Sequence, residues 1–450
     1  MSKASTEARE LAATAVDSAI ASGADSAEAI VGCGTSALTR FAGNRIHQNV
    51  METELSVSIR AVSGSKSGVA STNRIDPASI EKCCRIAVEA AKASPPDPAF
   101  PGLPEPRPVT KGHPANDFTG NFDETLRALA VKKIIGHSST HGLTAAGGVS
   151  VTSQTTAVSN SLGVDVVGTV NMLRATVLSM GNSSGSGWAS FVSADANSFD
   201  PDALGEEAAR LAIRTKDPGR LDPGKYTVLL APEAVADILF FLGWMTFGAK
   251  PYAEKRSAFS DRLGQLICDP SISIYDDAFD AQTLGLTFDY EGQPKTRVSL
   301  VEKGVAAGVV TDSFWAARTG LPNTGHALPA PNGYGPLPLN LVMGAGEATI
   351  EELISSVDRG VYITRFHYVN VEDPIPVTLT GMTRDGTFLI ENGQLSKPLL
   401  NLRFTQSAIE ALSNVRGLTS KQSLIGMYSG SPVLTPGLLI EKFAISGQTT

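Results

Sequence analysis

Few side-chain sets in this chain have types and spacings that could do chemistry. His137 and His141 stand four apart, the spacing that puts two imidazoles on one helical face as metal ligands. Gly136, Ser138, Ser139 and Gly142 surround them where a helix should end, so exposed helix-end histidines are the expectation. Gly181, Ser183 and Gly185 fit G-x-S-x-G, whose serine is a nucleophile only on a strand-turn-helix elbow. Strand-like sequence flanks them on both sides, which predicts a hairpin turn. Asp276 and Asp277, after the strand SISIY, would suit acid/base work or a divalent cation, though such pairs more often satisfy loop amides. His367 in YITRFHYV is a lone histidine beside aromatics and reads as structural. Cys33, Cys83, Cys84 and Cys268 have no metal-ligand spacing, since Cys83 and Cys84 leave a helix in different directions. Reduced, mostly buried thiols are expected. No phosphate-cradling glycine loop occurs.

The elements that must position these residues alternate between helix and strand. Residues 6 to 22 place Leu11, Ala15, Val16, Ala19 and Ile20 on one helical face and stop at Gly23. Short strands follow in AEAIVGC, SALTRF, NRIHQNV and ELSVSIRAV; in the last, Leu55, Val57, Ile59 and Ala61 alternate with polar residues, the mark of a half-buried antiparallel strand. Asp76 and Pro77 open a helix to about Ala93, completing an α, several β, α module. Seven prolines between Pro95 and Pro108 predict a linker or a surface strap. A second module begins at Asp123, carries Leu126, Leu129, Ala130 and Ile134 before Gly136, continues in strands from about Val149 to Val192, and closes with a helix capped by Asp200 and Pro201.

Residues 224 to 248 read as an apolar strand from Tyr226 to Leu230, Pro232 in a first turn, and a helix hydrophobic on nearly every side through Phe240, Phe241, Leu242, Trp244, Met245 and Phe247. Glu233 and Asp237 interrupt the run, which falls short of the ~17 to 25 apolar residues a membrane span needs, so a buried helix is expected. Beyond it lie two similar segments, residues 289–304 and 384–393, each a glycine-containing turn, an apolar strand and a second glycine turn. Asn392-Gly393 is a type I′ hairpin signal. The stretch 320–340, rich in Gly, Pro and Asn, is long enough to be functional or an ordered crossing.

The expected fold class is α+β: an N-terminal α+β domain over 1–220, with modules 1–94 and 123–220 joined by the strap, and a β-rich C-terminal domain over 221–450 with a large mixed or antiparallel sheet. A net charge of -8 and no basic run interleaved with aromatics argue against a nucleic-acid surface. The N-terminus lacks the apolar region of a secretory signal, which makes the cytoplasm the default location.

Several stretches taken together, SGSKSGVASTNRID, SNSLG, KYTVLLAPEAVADIL, SAFSDRLGQLICDPSISIYDDAFD, FDYEGQPKTRVSLVEKGVAAGVVTD and GVYITRFH followed by GTFLIENGQLSKPLLNL, resemble the TldD/PmbA family in order along nearly the whole chain. The resemblance implies a zinc metallopeptidase in which the catalytic subunit carries His-Glu-x-x-x-His on the helix after the APEA-like strand end and a cysteine ligand near the C-terminus. Carried over, the His-Glu pair falls at Phe240 and Phe241 and the second histidine at Met245, none able to bind zinc, and no cysteine follows Cys268. The expectation is therefore a TldE/PmbA-type subunit with a vestigial active-site helix (Phe240, Phe241, Trp244, Met245), without catalytic or metal-binding residues of its own. Zinc is expected in a TldD-like partner acting on unfolded or small peptides, and a homodimer when the chain is isolated. The stretch 320–340, with Asn323, His326, Asn332 and Tyr334, is the expected border of the substrate chamber. Two other readings stay open: a self-sufficient metallohydrolase using Asp276, Asp277, His326 or His367, and a stand-alone peptide-binding adaptor.

Overall fold

In the computed structural model, which describes residues 3–182, 184–427 and 431–448, the chain begins with helix α1 (Lys3–Ala21) and strands β1 (Ser26–Ala42), β2 (Arg45–Ser63) and β3 (Lys66–Thr72). The four short strands expected here are two long ones: AEAIVGC runs on into SALTRF, and NRIHQNV into ELSVSIRAV, because cross-strand partners continue from Ser26 opposite Val62 to Ala42 opposite Arg45. Val57, Ile59 and Ala61 are fully buried, as the alternation requires. Ile20 is exposed, so the buried face of α1 centres on Ala8, Ala12, Ala15 and Ala19. Helix α2 (Pro77–Ala93) starts where the Asp76 carboxylate accepts the Ser79 amide at 3.0 Å.

The second module contains α3 (Asp117–Gly120), α4 (Glu124–Thr140), β4 (Thr144–Asn160), β5 (Asp165–Met180), β6 (Ser186–Ser193) and α5 (Pro201–Arg214). Helix α4 continues through Gly136 to Thr140 rather than ending at the glycine, which sits in open space, and Leu129 lies on its exposed side. Strand β1 pairs with β4, so both modules build one six-stranded antiparallel sheet in the order β3-β2-β1-β4-β5-β6. Strand periodicity then sorts its faces. Ala157 of β4 packs with α1 and α2, while Val149 and Val151 pack with α4 and α5. All three are odd-numbered, so the four long helices share one face and the other is free of helices. Gly187 permits close approach of α5 to β6, since a Cβ there would meet the Ala208 carbonyl oxygen at 2.2 Å.

The C-terminal half opens with β7 (Gly224–Leu230) and α6 (Pro232–Met245) and adds β8 (Ile274–Asp276), β9 (Val298–Glu302), β10 (Val305–Ala306), β11 (Leu341–Met343), β12 (Arg359–Asp373), β13 (Thr378–Glu391), β14 (Gln394–Pro398), β15 (Leu402–Ser407), β16 (Val415–Ile425) and β17 (Val433–Gln448). These form an eleven-stranded mixed sheet in which β17, β15, β13, β12 and β7 close on themselves through a β17–β7 pairing. Parallel pairing joins β7 to β12 and β11 to β17. The fold is α+β, with the antiparallel sheet N-terminal and the large mixed sheet C-terminal. Both similar segments end in two-residue hairpin turns with left-handed backbone, Lys303-Gly304 and Asn392-Gly393. The proline-rich strap crosses between the halves: its Pro104 carbonyl accepts from Asn160 at 2.8 Å and its Glu105 carbonyl from Gln293 at 3.0 Å.

Candidate functional site

The helix-free face of the six-stranded sheet meets the C-terminal half across a cleft of about 590 Å³. Even-numbered side chains form one wall, among them Arg40, Ser150, Arg174, Trp188, Ser190 and Val192, because their odd-numbered neighbours point into the helix-covered core. Glu233 and Asp237 of α6, Arg365 and Phe366 of β12 and Met427 form the other. A second cavity of about 770 Å³ adjoins it along the outer edge of β6, bounded by Glu207 of α5, Tyr362 and Ser423. Trp188, Ser190, Glu233 and Arg365 border both.

The edge of β6 carries unused backbone groups. The Gly181 amide donates to the Gly185 carbonyl at 2.9 Å and closes the β5–β6 hairpin. From that pair, bonded and non-bonded positions alternate, so Trp188, Ser190 and Val192, opposite Leu178, Thr176 and Arg174, turn their N–H and C=O groups away from β5. Ser186, in the same phase, bonds the Thr215 hydroxyl through both its amide and its carbonyl, at 2.9 and 2.8 Å. Among the described residues no strand pairs with the edge beyond it.

Charge in the cleft is unevenly satisfied. The Arg365 guanidinium donates to Asp385 at 2.9 Å and lies 4.4 Å from the centre of the Trp188 ring. Asp385 also accepts from the Ser186 hydroxyl at 2.5 Å, tying β6 to the C-terminal half. Arg174 donates to the Gly426 and Met427 carbonyls at 3.3 and 3.4 Å. Glu233 and Asp237, four apart on one face of α6, have no ion-pair or side-chain hydrogen-bond partner among the described residues. Burial pushes the Asp237 carboxyl up to about 7, the charge of Arg365 offsetting it only in part, and raises Glu233 likewise.

The predicted site residues lie elsewhere. Phe241 is buried, while Phe240 and Met245 are half-buried against the C-terminal core. Trp244 is 38 % exposed, which corrects its assignment to a buried core: it sits on the side of α6 that meets Tyr334 edge-on, with ring centroids 6.1 Å apart. None of the four lines the cleft. In the stretch 320–340, His326 is buried, its Nε2 2.9 Å from Asp276 Oδ1 and its Nδ1 3.0 Å from the Thr324 hydroxyl, so it pins an ordered crossing rather than facing a chamber. Asn323 bonds the Ser313 hydroxyl, and Asn332 bonds the Gly335 carbonyl and the Tyr334 amide within its own turn. Tyr334, at 61 % exposure, borders a small apolar hollow with Trp244.

The alternative hydrolase set comes together only in part: Asp276 and His326 bond each other, with both side chains fully buried, and the other two stand apart from that pair's contact. Asp277 bonds the Phe279 amide and lies 3.3 Å from Arg297, and His367 stands on β12 beside Tyr368. His137 lies 3.3 Å from Asp202, and His141 caps α4. Ser183 lies outside the described residues. Among the described residues no group of three or more His, Cys, Asp and Glu side chains is placed to hold a metal. Two carboxylates on one turn of α6 do not fit a zinc donor set of two histidines and a cysteine. Sequence reasoning noted Glu233 and Asp237 only as interruptions; their four-residue spacing within an apolar helix was the available signal.

Family models describing the PmbA/TldA metallopeptidase match domain 1 at residues 27–91, the central domain at 121–216 and the C-terminal domain at 223–447. A metalloprotease TldD homolog of Haemophilus influenzae is 28 % identical over 174 residues, covering 38 % of this chain and 36 % of that protein. The metalloprotease PmbA of Escherichia coli O157:H7 is 23 % identical over 253 residues, covering 55 % of this chain and 52 % of that protein. The matches thus span about a third to a half of the length of these curated relatives. In fold, the chain is similar to the crystal structure of TldE from Thermococcus kodakarensis, with a TM-score of 0.89, 19 % identity, and coverage of 97 % of this chain and 100 % of that chain. No helix among the described residues is long and apolar enough to cross a membrane.

Proposed function

The chain belongs to the PmbA/TldD metallopeptidase family, and we propose that within it the chain is a non-catalytic subunit that pairs with a TldD-like zinc peptidase and helps enclose unfolded or small peptides for cutting by that partner. One observation carries this reading: the residue types along α6. Carried over, the His-Glu pair of His-Glu-x-x-x-His falls at Phe240 and Phe241 and the second histidine at Met245, and α6 holds no histidine or cysteine at any position. Aromatic and thioether side chains then stand where the nitrogen ligands and the general base would be. No cysteine follows Cys268 to supply a third ligand.

The chain's contribution is to binding. An extended peptide would add to the free edge of β6 through the amides and carbonyls of Trp188, Ser190 and Val192, with its alternate side chains reaching the cleft. Main-chain recognition of this kind tolerates varied sequences and selects unfolded chains, because only they can present a strand.

The test is reconstitution. The chain, tagged and expressed in its source cell, should co-purify with a zinc peptidase, and peptide cleavage should require both polypeptides. Cleavage by this chain alone, or by the partner at full rate without it, would contradict the reading.

A further inference from the structure

Glu233 and Asp237 face the cavities as carboxylates without cationic partners, beside a strand edge ready to take a peptide. Resting on the peptide-groove reading above, we propose that this pair seats a positively charged group of the bound peptide, an ammonium or guanidinium, so that the chain selects peptides by a free amino terminus or a basic side chain.

Three observations converge. The first is spacing: residues four apart on a helix lie one above the other, so the two carboxylates form one acceptor surface on the cleft side of α6. The second is the state of the neighbouring cations. Arg365 is engaged by Asp385 and the Trp188 ring, and Arg174 by the Gly426 and Met427 carbonyls, while Arg40 and Lys421 line the same cavities without an ion pair to either carboxylate among the described residues, so none of the four neutralises the pair by direct contact. The third is independent of the acidic residues: the free edge of β6 borders the same Glu233, and a strand added there directs every second side chain toward the helix-free face, where the carboxylates stand. A divalent cation is the poorer occupant. It needs six or more oxygens, whereas an ammonium needs only a few acceptors for its three N–H groups.

The seat has a pH signature. The other charged or titratable groups facing the pair are Arg365 on β12, Arg40 and His47 on β1 and β2 and Arg174 on β5 in the first cavity, and Asp200, Glu207, Glu351, Tyr362 and Lys421 in the second, which Glu233 also borders. With its carboxyl at about 7, Asp237 gains its charge as pH rises through neutrality, so affinity for the lysine peptide should increase across that range, whereas a free amino terminus, titrating at about 7.7 to 8.0, sheds its own charge at the upper end and should show a maximum instead. Affinity for a neutral peptide should follow neither course.

The test uses the full chain and three short unstructured peptides of matched length, each labelled at the C-terminus and read by fluorescence anisotropy. One is N-acetylated without basic residues, one has a free amino terminus, and one is N-acetylated with a single lysine. At least one cationic peptide should bind about tenfold or more tighter than the neutral one, the size of effect charge-assisted hydrogen bonds provide. Which one does so identifies the source of the charge. The double substitution Glu233→Gln and Asp237→Asn should bring the peptides to equal affinity; Glu233→Gln alone, which keeps the side-chain shape, serves as the second variant, with melting curves confirming that each folds. Equal binding of all three peptides by the natural chain, or an undiminished preference in the folded double variant, would overturn the seat while leaving the groove intact. No binding by any peptide would overturn the groove reading and the seat with it.

Discussion

The guanidinium of Arg60 on β2 lies 3.3 Å from the carboxylate of Glu291, an ion pair that fastens the N-terminal sheet to the C-terminal half. The same guanidinium reaches Glu28 on β1 at 3.0 Å, and all three side chains are largely enclosed. Removing the shared cation leaves two buried carboxylates facing each other. Arg60→Ala should therefore destabilise the chain by roughly 3 to 5 kcal/mol, measured by denaturant unfolding, well beyond what an exposed pair would cost.

Stability should also fall as pH rises through neutrality. Burial outweighs the pull of Arg60 and holds the Glu28 carboxyl at about 7; desolvation raises Asp289 to about 8 and Asp312 to about 6. A carboxyl whose folded value exceeds its unfolded one binds more protons in the fold. Its contribution is complete below the ordinary carboxylate range and is lost as pH climbs through the folded value. The melting temperature should decline from about pH 5 to pH 8, and Glu28→Gln should flatten that decline. A melting temperature that climbs over the same interval would contradict the assignment.

Helix α6 should respond to truncation according to exposure. Phe241 is 8 % exposed and packed in the C-terminal core, so Phe241→Ala should cost about 3 to 5 kcal/mol through lost burial and the cavity it leaves. Trp244→Ala, at a site facing solvent and Tyr334, should cost clearly less. Thermal unfolding of the two variants side by side decides this; equal losses would place Trp244 in the core after all.

Proline offers a probe of the β6 edge. The Ser190 amide points away from β5, so Ser190→Pro removes no ladder bond and should leave the melting temperature nearly unchanged. It deletes a donor that an added peptide strand would use. Peptide affinity, read by anisotropy, should drop while the fold persists; unchanged affinity would move the binding site off this edge.

Local signals in the sequence were reliable where the chemistry is local. Asp76-Pro77 and Asp200-Pro201 open helices, and Asn392-Gly393 makes the expected hairpin. The length of β1 was hidden because Gly32 and Gly34 look like turn residues. Both are mid-strand positions, and at Gly34 a side chain would collide with β4, since a Cβ there would meet the Ser153 carbonyl oxygen at 2.4 Å. The cleft was hidden for a different reason. Its walls are β6 and α6, and nothing in the α6 sequence says which side of an almost wholly apolar helix meets a distant strand edge. The side that meets it carries the two carboxylates early in the helix, Glu233 and Asp237.

The central claim, that this chain binds peptide but leaves the metal chemistry to a partner, is tested most directly by elemental analysis of the isolated chain after purification in zinc-containing buffer, paired with a peptide-cleavage assay on the same sample. The account predicts no stoichiometric zinc and no cleavage, with both appearing once the partner subunit is added. One tightly held zinc per chain together with hydrolysis by the chain alone would contradict it.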